Sequence, residues 1–282
     1  MESEIISGER LQKLADFSIC LDTSHLHQTT LLTMPHCSIN RFNINMITPE
    51  IKVLFVYPDV LDEFFQKIYP YIYHKFILMT HNSDIGIDEN RFKHILDSSE
   101  CKIIKWFAQN PLFLHSKIIA LPIGIANTHW PHGNINTLIE CINKSYKKEN
   151  LCYFQFNLHT NYHLRSSIKD IIIQNTGLKM IEPSDHCTYL HTLGTYKYCI
   201  CPRGNGIDSH RFWECLYLGV IPVVEYDIFY DQFKELPILI LKKWSDLSIE
   251  LMENEYEKIN KEIIIHKLSY YASLLHFFKF FE

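Results

Sequence analysis

The sequence predicts an α/β protein of two halves, each a parallel sheet with helices on its faces. Three observations carry this. After residue 50, strand and helix signals alternate, the pattern of βαβ units. A polar, lysine-containing stretch at 143–150 interrupts the series, and a second series follows. The segment 196–224 then reads as strand, glycine-bearing loop, helix and strand in close succession.

The elements follow in order. The first fifty residues are polar and irregular, with turn signals around Pro35 and Pro49. Ile51 to Tyr57 is a compact apolar run ended by Pro58, a buried strand. Val60 to Tyr69 carries apolar residues at helical spacing. Phe76 to Thr80 reads as strand, Glu89 to Leu96 as helix, and Ile103 to Phe107 and Ile118 to Leu121 as strands. Beyond the break, Leu151 to Phe156 is a strand and His163 to Gln174 a helix. Tyr196 to Cys201 is a β-branched and aromatic strand stopped by Pro202. Gly204 and Gly206 allow a sharp turn and a close approach to a ligand. Asp208 or Ser209 can cap a helix from His210 that ends at Gly219. Ile238 to Leu241 is a further strand. Glu255 to Phe281 is helical in pattern, with an apolar end from Leu274. That helix is expected to pack back onto the N-terminal half. Peripheral contact with a membrane surface is the alternative, disfavoured because a basic polar face is lacking. The expected domains are 1–148 and 149–282.

A chain of 282 residues suffices for one large domain or two small ones. A net charge of −5 with no long basic block excludes nucleic acid as the expected partner. The nine cysteines are odd in number and irregularly spaced, so they read as free thiols in a reducing compartment. Cys199 and Cys201 are too close for an ordinary disulfide along one strand. No second Cys/His pair at zinc spacing accompanies them. Met1 to Cys20 carries Glu2, Glu4, Glu9, Arg10, Lys13 and Asp16, so no signal-peptide core is read there. No apolar run reaches the roughly 20 residues that span a bilayer. A soluble cytoplasmic protein is expected; oligomeric state is not specified.

The helix from His210 holds the densest chemistry. Phe212, Cys215, Leu216 and Gly219 form a packing face, while His210, Arg211 and Glu214 share the other side. The unpaired N–H groups at its start suit a phosphate, and a cation beside them suits a diphosphate. A carboxylate one turn further in suits the paired hydroxyls of a ribose. The same spacing also describes a surface ion pair between Arg211 and Glu214.

The run from Cys201 to Val224, CPRGNGIDSHRFWECLYLGVIPVV, resembles the donor-binding segment of exostosin-type (GT47-like) glycosyltransferases. Thr80–Asp84, Trp106–Asn110, Leu121–Ile125 and Trp130–Gly133 are similar to this group in the same order along the chain. The resemblance implies the GT-B fold, with two Rossmann-like domains facing across a cleft. It implies an inverting glycosyltransferase with a nucleotide-sugar donor, commonly a UDP-sugar, held by the C-terminal half. Many eukaryotic relatives are membrane-anchored, a pattern from which this chain is expected to depart. The expected donor-binding residues are Arg165, Arg203, Gly204, Asn205, Gly206, Ser209, Arg211 and Glu214. Arg203, Asn205, Ser209 and Arg211 would face the diphosphate, Arg165 would neutralise its charge, and Glu214 would hold the ribose.

An inverting transfer needs a base for the acceptor hydroxyl. The candidates are Asp84, His81 and His132, from loops that follow strands; Asp88 and His129 are weaker. Trp130 can stack on a sugar ring and Asn110 can touch a glycan or other hydroxyl acceptor. Since no Asp-x-Asp motif occurs, no catalytic metal is expected, and no cofactor beyond the donor itself. The alternatives are a non-catalytic nucleotide- or glycan-binding module and a GDP-sugar, fucosyltransferase-like enzyme. A nicotinamide oxidoreductase is excluded because Ser209 stands where the dinucleotide fingerprint has its third glycine.

Overall fold

The computed structural model describes residues 2–22, 34–259 and 268–279. They divide into two compact units. One comprises the described parts of Ser3–Ile123 and Lys267–Glu282, the other Gly124–His266.

The first unit is built on a parallel sheet of order β2-β1-β3-β4-β5-β6. Its strands are β1 (Phe17–Cys20), β2 (His36–Ser38), β3 (Val53–Val56), β4 (Phe76–Thr80), β5 (Ile103–Gln109) and β6 (Ile118–Leu121). The first fifty residues are therefore not irregular: they contribute two strands. Both are short and carry Ser18, His36 and Ser38, so neither shows as an apolar run. Every residue of β3 and β4 is buried, as expected for a sheet covered on both faces. Inside, Trp106 Nε1 donates to Thr80 Oγ1 at 2.9 Å, which satisfies an indole N–H in the core. The helices are α1 (Gly8–Gln12), α2 (Leu61–Lys67) and α3 (Glu89–Asp97), the last capped by Asp88, which accepts from the amides of Asn90 and Arg91.

The second unit contains a parallel sheet of order β10-β9-β8-β7. Its strands are β7 (Asn150–Tyr153), β8 (Tyr196–Ile200), β9 (Ile221–Glu225) and β10 (Leu239–Leu241). Helix α4 (Ile135–Ile142) precedes them, and α5 (Tyr162–Thr176) and α6 (His186–Gly194) connect β7 to β8. Helix α7 (His210–Tyr217) connects β8 to β9, and α8 (Ile249–Tyr256) follows β10. Tyr198, Ile200, Ile221 and Val223 pack with Ile168 and Ile172 of α5. Residues alternate across a strand, so Cys199 and Cys201 face the opposite side of the sheet. Gly219 closes α7 at φ +62, a conformation glycine adopts without strain.

The units part after Ile123, earlier than the polar stretch suggested. That stretch lies within the second unit. Lys148 Nζ donates to the carbonyls of Gly194 (2.7 Å) and Leu218 (2.8 Å), and Asn150 begins β7. Its polarity serves the ends of α6 and the turn after α7. The predicted C-terminal helix is described as α8 and, separately, α9 (Leu268–Lys279); 260–267 and 280–281 lie outside the described residues. Tyr271 and Leu275 of α9 sit in the core of the first unit. Lys279 Nζ meets Asp16 Oδ1 at 3.0 Å, and Ser269 Oγ donates to Glu4 Oε2 at 2.6 Å. Among the described residues no helix is long and apolar enough to cross a membrane.

Candidate active site

Strand β8 ends at Ile200, and its loop runs over the carboxyl edge of the sheet, where ligands of parallel α/β sheets collect. The loop is held from α5. Arg165, buried, donates through Nε to Arg203 O (3.0 Å), through Nη1 to Asn157 O (2.7 Å) and through Nη2 to Pro202 O (3.1 Å). Asn161 Nδ2 donates to Gly204 O at 3.1 Å. A Cβ at Gly204 would lie 3.2 Å from Arg165 Nη2 and 3.1 Å from Thr160 Cγ2, so glycine admits this close approach. Arg165 thus spends its guanidinium on three carbonyls. Its expected position against a diphosphate is replaced by a clamp on the loop that would meet one. Burial, with the nearby Arg211 charge, pushes its pKa down to about 10.

The rest of the loop is open. Arg203 and Asn205 are exposed, and Arg203 Nη1 lies 4.0 Å from Asp227 Oδ2. Gly206 is buried beneath them. Ser209 occupies the N-cap of α7 without a side-chain cap bond. Asp208 instead accepts from Trp213 Nε1 at 2.6 Å, tying loop to helix. A pocket of about 100 Å³ opens at the ends of β8 and β9, lined by Arg203, Glu225, Tyr226, Asp227, Tyr230 and Trp244 among others.

Arg211 and Glu214 are not a surface ion pair. Glu214 is 4% exposed, and each of its oxygens is engaged. His186 Nε2 meets Oε1 and Tyr189 OH donates to Oε2, both at 2.9 Å. Arg211 donates through Nη2 to Gln155 Oε1 (2.9 Å), through Nη1 to Gln155 O, and through Nε to Tyr189 OH (3.4 Å). Tyr189 therefore links the cation and the carboxylate. Burial pushes the Glu214 pKa up, but the hydrogen bonds from His186 and Tyr189 and the charges of His186 and His210 bring it below the usual carboxylate value. A buried, ionised carboxylate with two oxygens keeps lone pairs for hydroxyl donors.

Three histidines surround this carboxylate. The His132 ring centroid is 6.0 Å from that of His210 and 6.3 Å from that of His186. His210 Nδ1 lies 2.8 Å from Gly124 O, a contact that places a proton on Nδ1. Partial enclosure and the His210 and His186 rings push the His132 pKa down, against the opposing pull of Glu214. Trp130, 52% exposed, stacks beside His132 at 26° and 6.0 Å. Gly133 is required behind them, because a Cβ there would fall 2.0 Å from Asn127 O. His132 and Trp130 were expected in the N-terminal domain; with the boundary at Ile123 they belong to the unit that holds Glu214.

The other candidates lie in the first unit. His81 is buried, with Nε2 2.9 Å from Pro122 O and Nδ1 accepting from Asn82 N at 2.7 Å. Both ring nitrogens are committed to backbone, which makes His81 a structural residue and not a base. Asp84 is exposed on the loop after β4. Asn110 is buried at φ 52 and donates through Nδ2 to Ser83 O at 3.3 Å, so it shapes that loop.

His186, Tyr189 and Gln155 carry no motif in the sequence. His186 and Tyr189 lie 28 and 25 residues before Glu214 and reach it only through the packing of α6 on α7. The one signal was Asp185, an N-cap whose side chain accepts from Thr188 N and which starts α6 at His186.

Residues 125–265, half of the chain, match the exostosin GT47 domain. This span coincides with the second structural unit. A solved structure described as "Crystal Structure of alpha1,3-Fucosyltransferase" is similar at 10% sequence identity and a TM-score of 0.43, over 88% of this chain and 78% of that one. The glycine loop, the helix bearing Arg211 and Glu214, and the Gly-x-x-Pro-Val-Val strand all lie inside the matched region, and the chain belongs to the exostosin GT47 family of glycosyltransferases.

Proposed function

We propose that the protein transfers a sugar, with inversion and without a catalytic metal, from a nucleotide-sugar to a hydroxyl of a glycan or similar acceptor. The observation that carries this reading is Glu214: a buried carboxylate, its pKa held low, one turn into a helix that follows a glycine loop. Its remaining lone pairs accept the ribose hydroxyls. Arg203, Asn205 and the first amides of α7, with Ser209, receive the diphosphate. Gly204 and Gly206 keep the backbone close. Arg165 and Arg211 hold this surface in place, one through the loop carbonyls and the other through Gln155 and Tyr189. UDP is the first choice of nucleotide and GDP the second.

His132 is the base. Its depressed pKa leaves the ring neutral near pH 7, the form that accepts a proton. The acceptor O–H gives its proton to the imidazole as the oxygen bonds to the anomeric carbon. The bond from that carbon to the diphosphate breaks, and the electron pair leaves with the nucleoside diphosphate. Trp130 offers a face for the acceptor or transferred sugar.

Thermal stabilisation by UDP, GDP, CMP and their sugar conjugates tests the donor site, since a ligand that binds only the folded state raises Tm by mass action. One nucleotide class should shift the wild type and leave Glu214→Ala unmoved. An equal shift in the variant, or no shift with any nucleotide, overturns the proposal.

A further inference from the structure

Nine thiols are spread along the chain, yet three converge. Cys199 and Cys201 face the same side of the β8 segment, and Cys215 of α7 covers them. Their sulfurs all lie within 4.8 Å of one another, and Cys201 Sγ is 3.9 Å from Cys215 Sγ. All three are buried. Three sulfurs bound at about 2.3 Å to one ion are about 3.8–4.0 Å apart. The cluster is close to that spacing without any main-chain movement. Among the described residues no other group of histidines, cysteines and carboxylates converges in this way.

Two further observations point to a ligand. The first is charge. Arg211, partly buried, acts electrostatically on Cys199 and Cys201. Its guanidinium places a positive charge beside the three sulfurs. The second is access. Cys201 is also one of the residues that line the pocket at the strand ends, so the trio lies at its edge.

We propose that Cys199, Cys201 and Cys215 form a three-sulfur site for a thiophilic d10 cation, with Zn(II) the ion whose charge suits it. On binding, each S–H releases its proton to solvent and three metal–sulfur bonds form. Three thiolates and a dication carry one negative charge, which the Arg211 guanidinium balances. A monovalent Cu(I) leaves an additional negative charge in the core, whereas soft-ligand preference admits it. Bound metal fastens β8 to α7 directly behind Arg211 and Glu214, and so adds rigidity to the helix that carries them.

The reduced, chelator-treated full chain is titrated with Zn(II), Cd(II) and Cu(I) against a chromophoric competitor. The expected result is one equivalent bound more tightly than micromolar, an ultraviolet sulfur-to-cadmium band and a raised Tm. Cys187→Ser, at an exposed thiol, should behave as wild type, while Cys199→Ala, Cys201→Ala and Cys215→Ala should each lose the site. If the alanine variants do not fold, alkylation of the wild type in mild denaturant replaces them. Metal should then slow labelling of Cys201 and Cys215 and leave Cys20 and Cys37 of the first unit unchanged. Failure to bind any of the three ions, binding that survives the alanine variants, or protection that is equal at all buried thiols overturns the proposal. None of these readouts requires transferase activity.

Discussion

At the scale of single residues, the site depends on what surrounds Glu214. Its folded-state pKa lies below the unfolded value, so it contributes stability above the ordinary 4.5 that is lost as pH falls through the depressed value. Glu214→Gln should therefore lower the neutral plateau of a plot of Tm against pH more than its acid end, and so flatten the acid limb. An unchanged acid limb would mean that the carboxylate is not preferentially ionised in the fold. His132 calls for a kinetic test. His132→Gln should lower kcat by about 10²–10⁴-fold, the usual size of a general-base contribution, with donor affinity retained. Equal loss of donor affinity would make it a binding residue instead. Arg211 and Glu214 were legible from spacing and from the motif around them. Tyr189, which joins them, was not, because a contact between helices 25 residues apart leaves no local period in the sequence. Arg165 was legible as an important cation, but its three carbonyl partners depend on a loop path that composition does not encode.

At the scale of elements, α6 links stability to the site. Asp185 caps it through Thr188 N, and the next residue, His186, touches Glu214. Asp185→Ala should cost about 1 kcal/mol as a lost N-cap and also weaken nucleotide binding. Asp88→Ala removes a similar cap from α3 in the first unit and should cost as much while leaving nucleotide binding as it was. Matched losses of binding in both variants would show that binding follows general stability and not the position of α6. The strands β3 to β6 were readable because each is built on a largely apolar, mostly buried run ended by a turn. Strands β1 and β2 were hidden by their serines and their length of four and three residues. The cysteine trio was half visible: Cys199 and Cys201 lie two residues apart at the end of β8, but Cys215 joins them only when α7 folds onto the sheet.

For the whole molecule, α9 is the element with the widest reach. Tyr271 and Leu275 are almost wholly buried in the first unit's core, although α9 follows the entire second unit in sequence. Tyr271→Ala or Leu275→Ala should each cost about 2–5 kcal/mol, as large-to-small core changes do. Denaturation should show the loss in the first unit's transition, with nucleotide stabilisation of the second unit preserved; a shift below about 1 kcal/mol would mean that α9 is only loosely attached. The position of the boundary was misread because a polar stretch serving helix ends resembles a linker.

The placement of α9 also sets an order of events during synthesis. The residues of the second unit leave the ribosome before α9 does, so they can fold while the first unit still lacks a helix. Until Leu268–Lys279 emerge, the surface that receives Tyr271, Leu275 and Phe278, with Phe107 beneath it, stays open to water and to other chains. A nascent chain stalled before residue 268 should therefore recruit chaperones through its N-terminal sheet, and release them when the last helix closes over it.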